Sequence, residues 1–354
     1  MKRAIVTTGG TGGHIFPALA VAAELRAMHP DLTLLFVGGE GPEGKLARDA
    51  GMDFRGLPVR GVLGRGLHAI PAVMRMGMSL VSALGIVRSF NPQVVAGFGG
   101  YAGFCPALAA WMLGVPTAVH EQNSVPGATN RILGRLADRV LVTYPDDAGA
   151  FPARKVVLTG NPVRPEISSV AGTEPSRVVP KRVLVLGGSQ GAKAVNRVMV
   201  TAWPRLAASG LELWHQTGSS DYESVSHLYR GEQNVRVEPF ITDMAEAYTW
   251  ADVVIGRAGA STLAELACAG KPSVLVPFPH ATHDHQSVNA SYLVNAGAAV
   301  VIAEKQLNAQ ALADTVLELM GDAQKLRDMG RAAFSQARPQ AARVIAEQLT
   351  RLAA

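Results

Sequence analysis

Short runs of apolar residues recur along the chain, and several of them end at a glycine cluster that leads into apolar positions at helical spacing. A buried strand that passes through a glycine turn into a helix is the repeating unit of parallel α/β sheets. The pattern therefore predicts doubly wound α/β domains, in which helices cover both faces of a parallel sheet. Apolar runs of this kind lie at 4–8, 94–96, 183–186 and 253–255.

The chain divides into two similar halves, because the glycine clusters after residues 8 and 186 each open a new series of strands and helices. The segment 160–181 is rich in proline, serine and glycine, so we expect a linker with a boundary near Pro165. Pro339 interrupts the last helical pattern and leaves 341–352 as a separate helix. We predict an N-terminal domain at 1–164, a C-terminal domain at 165–338, and a terminal helix at 339–354 that packs back on the N-terminal domain.

Composition narrows the class of protein and its partners. The 354 residues are 48% hydrophobic and only 17% charged, which is enough to bury the cores of two domains and argues against disorder. The net charge of +5 is spread without a basic run, so it favours anionic small substrates or an acidic membrane surface over nucleic acid. Cys105 and Cys268 lie in apolar surroundings, which predicts buried free thiols and a cytoplasmic protein.

The stretch at 251–289 carries the strongest ligand signal. Its apolar run breaks at Gly256, and a helical pattern then begins among Gly259, Ser261 and Thr262. A helix N-terminus offers unpaired N–H groups and a positive dipole end, so we expect it to bind a diphosphate, with Glu265 placed for a ribose diol. A competing interpretation is a capping box, in which Thr262 and Glu265 bond to the N–H groups of their own helix.

Glycine loops alone leave two other enzyme classes open. The first loop has Ile15 where the dinucleotide fingerprint requires glycine, but Glu40 ends the second strand as a ribose-binding acid does, so an NAD-dependent oxidoreductase stays possible. The segment 187–191 also matches the G-x-S-x-G elbow of hydrolases, with Asp252 or Asp284 and His285 as partners.

The histidines at 280–285 and His14 suggest different kinds of site. His280, His283, Asp284 and His285 are metal ligands by residue type, but their spacing fits no common zinc pattern, so we expect a polar loop and no metal. His14 follows the first glycine loop at a helix start, where the dipole favours the neutral imidazole that can accept a proton. A capping or solvent-facing role is the alternative for His14.

The ordered set of motifs GGTGGH, GFGGY, HEQN, GNPVR, GGSQGA and GRAGASTLAE resembles the MurG family of peptidoglycan glycosyltransferases over almost the whole chain. The resemblance implies a GT-B fold, which is α/β with two Rossmann-like doubly wound parallel-sheet domains facing a cleft. It implies inverting transfer of N-acetylglucosamine from UDP-N-acetylglucosamine to the C4 hydroxyl of a polyprenyl-diphosphate-linked muramyl-pentapeptide, with no metal or other cofactor. A nucleotide-sugar sensor without turnover is the non-catalytic alternative.

The resemblance also implies roles for residues of this chain. His14 is the first candidate for the catalytic base and Glu121 the second. The pyrophosphate of the acceptor would lie against Gly10, Gly99, Gly100 and Tyr101. The donor would contact Thr11, Gly12, Gly13, Asn123, Arg164, Ser189, Ile241, Ala260, Ser261, Thr262, Leu263, Ala264, Glu265 and Gln286.

A lipid-linked acceptor requires the enzyme to reach a membrane. We therefore expect a peripheral protein on the cytoplasmic face of the inner membrane, attracted by anionic lipid. The segment 67–87 has the composition of an interfacial helix, with an ordinary core helix as the alternative. Its apolar and flanking basic positions are Ile70, Val73, Met74, Met78, Leu80, Val81 and Leu84, with Arg65, Arg75 and Arg88.

Overall fold

The computed structural model describes residues 1–10, 12–58, 69–170, 179, 181–188 and 191–354, with 69–73 described by their backbone alone. Contacts between residues divide the chain into two compact units. Unit 1 comprises Met1–Arg164 together with Gln340–Ala354, and unit 2 comprises Pro165–Pro339.

Unit 1 is built on a seven-stranded sheet in which the neighbouring strands are parallel. Parallel strands joined by helices are covered on both faces, which is why most of these strands are apolar throughout. The strands are β1 (Arg3–Thr7), β2 (Thr33–Gly38), β3 (Asp53–Gly56), β4 (Val94–Gly97), β5 (Thr117–Glu121), β6 (Arg139–Val142) and β7 (Val156–Leu158). The helices between them are α1 (Gly12–Met28), α2 (Glu43–Asp49), α3 (Ala69–Phe90), α4 (Gly100–Met112) and α5 (Ala128–Leu136).

The strand order of unit 1 is β3-β2-β1-β4-β5-β6-β7. The chain moves outward from β1 to β3 and then returns to place β4 on the other side of β1, with Ala4 opposite Val94 and Thr7 opposite Gly97. The order therefore reverses between β1 and β4. In open α/β sheets a ligand binds at the carboxyl ends of the strands at this switch point.

Unit 2 repeats the design on a six-stranded parallel sheet of order β10-β9-β8-β11-β12-β13, so its switch point lies between β8 and β11. Its strands are β8 (Arg182–Leu186), β9 (Glu212–Gln216), β10 (Val235–Glu238), β11 (Val253–Gly256), β12 (Ser273–Leu275) and β13 (Ala299–Val301). Its helices are α6 (Pro165–Ser169), α7 (Lys193–Ala208), α8 (Tyr222–Leu228), α9 (Met244–Trp250), α10 (Ala260–Cys268), α11 (His285–Asn295), α12 (Ala309–Met320) and α13 (Ala323–Ser335).

The last helix, α14 (Ala341–Leu352), belongs to unit 1. Its Ile345 and Leu349 lie in the same buried cluster as Val21 and Leu25 of α1. One local difference from the sequence pattern is that the expected linker contains the short helix α6, whose Ile167 is completely buried.

Both cysteines are free and buried, as expected. Burial raises the pKa of the Cys105 thiol and of the Cys268 thiol to about 11. Of the helices that the structure describes, none is long and apolar enough to cross a membrane.

A buried polar network lies in the core of unit 2. Nε2 of His215 is 3.1 Å from Oδ1 of Asn196, and Nδ1 is 3.2 Å from the hydroxyl of Tyr229. Asn196 in turn donates to the carbonyl of Thr217 at 2.9 Å. Burial lowers the pKa of His215 to about 3, so the ring is neutral in the folded protein.

We predict that acid destabilises unit 2 through His215. An unfolded histidine takes up a proton near pH 6.5, whereas the folded one does so only near 3, so its contribution to stability is complete above 6.5 and is lost as the pH falls toward 3. Between pH 7 and pH 5 the free energy of unfolding should fall by about 2 kcal/mol on this account. The glutamine in His215→Gln takes up no proton in either state. Between pH 7 and pH 5 the free energy of unfolding of this variant should therefore fall by about 2 kcal/mol less than that of the wild type.

Urea unfolding followed by tryptophan fluorescence measures the difference, since Trp203, Trp214 and Trp250 all lie in unit 2. The same pH dependence in the wild type and in His215→Gln would contradict the prediction.

Candidate active site

The glycine loops of unit 1 meet at its switch point. Gly100 has φ of +75°, and a Cβ placed on it would overlap the carbonyl oxygen of Gly9. The N–H of Gly9 donates to the carbonyl of Gly99 at 3.2 Å. Only glycine permits the two loops to approach this closely. Since β1 and β4 are adjacent and parallel, the N-termini of α1 and α4 lie at the same edge of the sheet. Helix α4 is preceded by Gly99 and has no side-chain cap, so its first N–H groups can bind an anion.

His14 lies half-buried in the first turn of α1. Its Nδ1 is 2.9 Å from Oε1 of Gln122, whose Nε2 donates to the carbonyl of Phe98 at 3.0 Å. A Cβ on Gly99 would be 3.1 Å from the same Nδ1, so the second glycine loop packs directly against the imidazole. The structure thus holds His14 against the switch point of unit 1.

Glu121 is buried, and its carboxylate is occupied by its own loop. Oε1 accepts hydrogen bonds from the backbone and side-chain nitrogens of Asn123, at 3.0 and 3.4 Å. Oε2 accepts from the N–H of Gly127 at 3.1 Å and from Nδ2 of Asn130 at 2.9 Å. This geometry fits an organiser of the segment 121–130 better than a base in contact with substrate.

Glu43 is a supporting residue that sequence reasoning missed. It begins α2 and is almost completely buried, and its Oε1 accepts from the N–H of Gly10 at 2.7 Å. Gly10 itself has φ of +102°, so the carboxylate holds the first glycine loop in a conformation that suits glycine. The only signal in the sequence is an acid that starts a helix shortly after Gly38 and Gly39.

The other residues of unit 1 that we expect to contact the donor or the acceptor lie at this edge of the sheet or close in the sequence to residues that do. Arg164 stacks its guanidinium 5.0 Å from the ring centre of Phe16, two residues after His14. Gly12 and Gly13 form the start of α1, Tyr101 is the second residue of α4, and Asn123 follows β5. Thr11 lies outside the described residues.

Unit 2 places two helix N-termini at its own switch point. Helices α7 and α10 follow the adjacent strands β8 and β11, and neither has a side-chain cap at its first residue. Gly191, just before α7, packs closely against the backbone of Thr217, since a Cβ on Gly191 would be 2.7 Å from the carbonyl oxygen of Thr217. These features give the N–H groups of both helices access to one anion at the strand ends. Ser189 lies outside the described residues.

Gln216 fixes the backbone around this loop, and sequence reasoning missed it too. Its Oε1 accepts from the N–H of Gly188 at 3.0 Å, while its Nε2 donates to the carbonyls of Gly188 and Pro239, both at 3.0 Å. Pro239 lies two residues before Ile241, whose side chain is buried. One amide therefore couples the glycine loop to the segment at Ile241, which is expected to contact the donor.

The capping-box interpretation of Thr262 and Glu265 is wrong. Helix α10 begins at Ala260 with Gly259 as its N-cap, so Thr262 is its third residue and has no capping position. Glu265 is 9% exposed, and its Oε2 accepts from the hydroxyl of buried Tyr248 at 2.9 Å. An oriented carboxylate one turn behind an uncapped helix start is well placed for a ribose diol. Ser261, Leu263 and Ala264 complete the same two turns.

Arg257 and Gln286 both form hydrogen bonds with the backbone that directly follows β12. Arg257 forms an ion pair with Glu304 at 2.6 Å and donates to the carbonyls of Val276 and Pro277 at 3.1 and 3.3 Å. Oε1 of Gln286 accepts from the N–H of Phe278 at 2.9 Å, which directs its amide nitrogen away from that backbone. Asn289, one helical turn after Gln286 on α11, is completely buried.

Two rival interpretations find no support at these positions. Within the described residues, no group of three or more His, Cys, Asp or Glu side chains is arranged to hold a metal. Asp252, proposed as a partner of a hydrolase elbow, accepts from the N–H groups of Lys181 and Arg182 at 2.8 and 3.0 Å. Those groups precede β8, whereas the elbow would lie after it, at the opposite edge of the sheet.

Helix α3 has two different faces. Ala83 and Val87 are buried in a core cluster with Cys105 of α4. Met74, Met78 and Val81 are 66%, 56% and 70% exposed, and their spacing puts them on one face of the helix. Arg75 and Arg88 are exposed as well. The core-helix and surface-patch interpretations therefore apply to opposite faces, although residues 59–68 and the side chains of 69–73 lie outside the described part.

Comparison with known proteins gives one consistent result. Residues 4–142 match the glycosyltransferase family 28 N-terminal domain, and residues 182–348 match the glycosyltransferase family 28 C-terminal domain. A Solidesulfovibrio magneticus protein is 52% identical over 364 residues, covering 100% of this chain and 99% of its own length. It is named UDP-N-acetylglucosamine–N-acetylmuramyl-(pentapeptide) pyrophosphoryl-undecaprenol N-acetylglucosamine transferase. A Myxococcus xanthus protein of the same name is 41% identical, covering 98% of this chain and 92% of its own length.

Solved structures agree with these relatives. The crystal structure of Acinetobacter baumannii MurG superposes with a TM-score of 0.79 at 33% identity, covering 99% of this chain and 100% of that one. The expected GT-B fold, with two Rossmann-like parallel-sheet domains, is thereby confirmed. Because both halves match one family and the relatives match at full length, the chain belongs to glycosyltransferase family 28.

Proposed function

We propose that this glycosyltransferase transfers N-acetylglucosamine from UDP-N-acetylglucosamine to the C4 hydroxyl of undecaprenyl-diphosphate-linked N-acetylmuramyl-pentapeptide. This reaction converts lipid I to lipid II in peptidoglycan synthesis. The observation that carries the proposal is full-length identity of 52% to a relative named for this transfer. The paired, uncapped helix N-termini of unit 2 support it, because they fit the diphosphate of a nucleotide-sugar donor.

In this proposal unit 2 binds the donor. The N-termini of α7 and α10 bind the diphosphate, Glu265 accepts from the ribose hydroxyls, and Gln286 contacts the sugar. The backbone at Ile241 reads the uracil edge, with Gln216 fixing its position relative to the phosphate loop. The helix dipoles stabilise the charge that UDP gains as it leaves, which is stabilisation specific to the transition state.

Unit 1 binds the acceptor. Its pyrophosphate lies against Gly10 and the start of α4, where Gly99, Gly100 and Tyr101 present backbone N–H groups. The muramyl sugar then places its C4 hydroxyl at His14, which is the candidate base. Glu121 supports the neighbouring loop, since its oxygens already accept hydrogen bonds within the segment 121–130.

The reaction is a single displacement with inversion. The C4 oxygen forms a bond to the anomeric carbon while the bond from that carbon to the diphosphate oxygen breaks. The electron pair of the broken bond leaves with UDP, and the hydroxyl proton passes to the neutral ring of His14. The sugar carries oxocarbenium character between these events, as in glycoside hydrolysis.

The lipid-linked acceptor explains the exposed face of α3. We propose that Met74, Met78 and Val81 enter the interfacial layer of the cytoplasmic leaflet while Arg75 and Arg88 attract its anionic headgroups. Peripheral attachment of this kind brings the glycine loops of unit 1 to a substrate that stays in the bilayer.

We predict that Glu265→Gln weakens donor binding by removing the carboxylate that accepts from ribose. A hydrogen bond to a charged group contributes about 1.5–3 kcal/mol, so the wild type should bind UDP at least about tenfold more tightly than 2′-deoxy-UDP. Glu265→Gln should bring that ratio close to one, as measured by calorimetric titration, with little change in thermal stability. The exposed acid change Glu223→Gln serves as control. A large loss of stability with an unchanged ratio would show that Glu265 is only structural.

We predict that His14→Ala lowers turnover by about two to four orders of magnitude, the range for loss of a general base. The Kd for UDP-N-acetylglucosamine should stay near the wild-type value, because the contacts proposed for the diphosphate, the ribose and the uracil lie in unit 2. His227→Ala, an exposed histidine on α8, is the matched control and should keep full turnover. Turnover of His14→Ala near the wild-type rate at saturating acceptor would exclude it as base. Retained turnover in His14→Ala together with a loss of that size in a stably folded Glu121→Gln would transfer the role to Glu121.

We predict that wild-type protein floats with liposomes containing anionic lipid and that Arg75→Glu reduces the bound fraction several-fold. The substitution reverses the charge of one residue and so changes the net charge at the proposed contact by two units, and each basic residue near such a surface contributes about 1 kcal/mol. Arg351→Glu makes the same change on α14 and should bind as the wild type does. No flotation of the wild type, or equal flotation of the two variants, would argue against the α3 surface.

A further inference from the structure

The side chain of Gln122 lies between the two functional loops of unit 1. It is 2% exposed and follows β5, and it reaches the backbone of Phe98 on one side and His14 on the other. The 108 residues that separate Gln122 from His14 in the sequence are bridged by the pairing of β1, β4 and β5.

The hydrogen bonds of Gln122 determine where the proton of His14 resides. The carbonyl of Phe98 can only accept, so the amide nitrogen of Gln122 must face it, at 3.0 Å. Oε1 then faces Nδ1 of His14 at 2.9 Å, and this oxygen can only accept as well. Nδ1 therefore carries the proton of the neutral ring, and Nε2 carries the lone pair.

We infer that Gln122 is a positioning residue that holds His14 in the Nδ1–H tautomer, so that Nε2 faces the acceptor hydroxyl as a proton acceptor. The inference rests on the proposed role of His14 as base. Among the described residues, Nε2 of His14 has no hydrogen-bond partner, so this nitrogen is available to substrate. Without Gln122 a solvated ring would distribute its proton over both nitrogens, and part of the enzyme would present an N–H to the hydroxyl.

The nearby titratable groups are engaged elsewhere. Nε2 of His120, on β5, is 3.1 Å from the carbonyl of Gly160, so His120 has the opposite tautomer. Burial lowers the pKa of His120 to about 4, which keeps it uncharged beside His14. Glu121 bonds within its own loop, and Glu43 of α2 bonds to Gly10. The Arg164 guanidinium lies over Phe16 on α1.

An amide has an advantage over a carboxylate at this position. The acceptor substrate brings a pyrophosphate, whose negative charge favours the protonated imidazole and so removes the base. A carboxylate on Nδ1 would add to that effect. Gln122 orients the ring through a neutral dipole and so adds no further charge beside it.

The tautomer can be observed directly by ¹⁵N NMR of the full-length protein labelled at histidine. The His14 signals are identified by their absence from His14→Ala. We expect the wild type to show a protonated Nδ1 and an unprotonated Nε2 for His14, and the reverse for His120. In Gln122→Met the His14 ring should become a mixture or change to Nε2–H. Gln216→Met, a buried glutamine change in unit 2, should leave the His14 signals as they are.

Kinetics provide the second measurement. Gln122→Met should lower kcat by about ten- to a hundredfold, less than complete loss of the base, with the Kd for the donor unchanged. A wild-type His14 protonated on Nε2 would overturn the inference even if His14→Ala is inactive, and this readout needs no Gln122 variant to fold. A fully active His14→Ala would instead overturn the proposed base. An altered tautomer in Gln122→Met with unchanged kcat would also overturn the inference.

Discussion

Close contacts between a glycine and the backbone of a neighbouring loop determine how the chain is arranged at both switch points. In unit 1 any Cβ at Gly100 would overlap the carbonyl of Gly9, and in unit 2 a Cβ at Gly191 would lie 2.7 Å from the carbonyl of Thr217. Because the strands on either side of each switch point are parallel, the helices that follow them begin at the same edge of the sheet, and glycine at these positions permits the close backbone contacts there. The N-termini of α4, α7 and α10, which have no side-chain cap, then supply N–H groups and positive dipole ends without any charged side chain.

Function is divided between this backbone and a few side chains fixed by buried hydrogen bonds. In the proposed mechanism the helix starts bind the phosphates in both units, whereas proton transfer and sugar recognition are assigned to side chains such as His14 and Glu265. Each of these is oriented by a buried partner, Gln122 for the first and Tyr248 for the second. Since the anion sites are already positive, they stabilise charge on a departing diphosphate without reorganisation.

The sequence predicts the local parts of this account well, because strand and helix periodicity depends on near neighbours. The parallel α/β sheets, the strand at 183–186 and the last helix at 341–352 are found where the pattern placed them. The capping box failed because helix α10 starts before Thr262. Gln122 and Glu43 were missed for another reason, since their partners are distant in sequence and meet only through the order of strands.

The central claim is that the chain transfers N-acetylglucosamine to a lipid-linked C4 hydroxyl. The most direct measurement is release of UDP from UDP-N-acetylglucosamine with and without the undecaprenyl-diphosphate-linked muramyl-pentapeptide, with mass spectrometry of the lipid product. The account predicts UDP release only with acceptor, a product heavier by one N-acetylglucosamine, and no reaction with an acceptor that lacks the C4 hydroxyl. Donor binding without release in the presence of acceptor, or equal release in its absence, would contradict it.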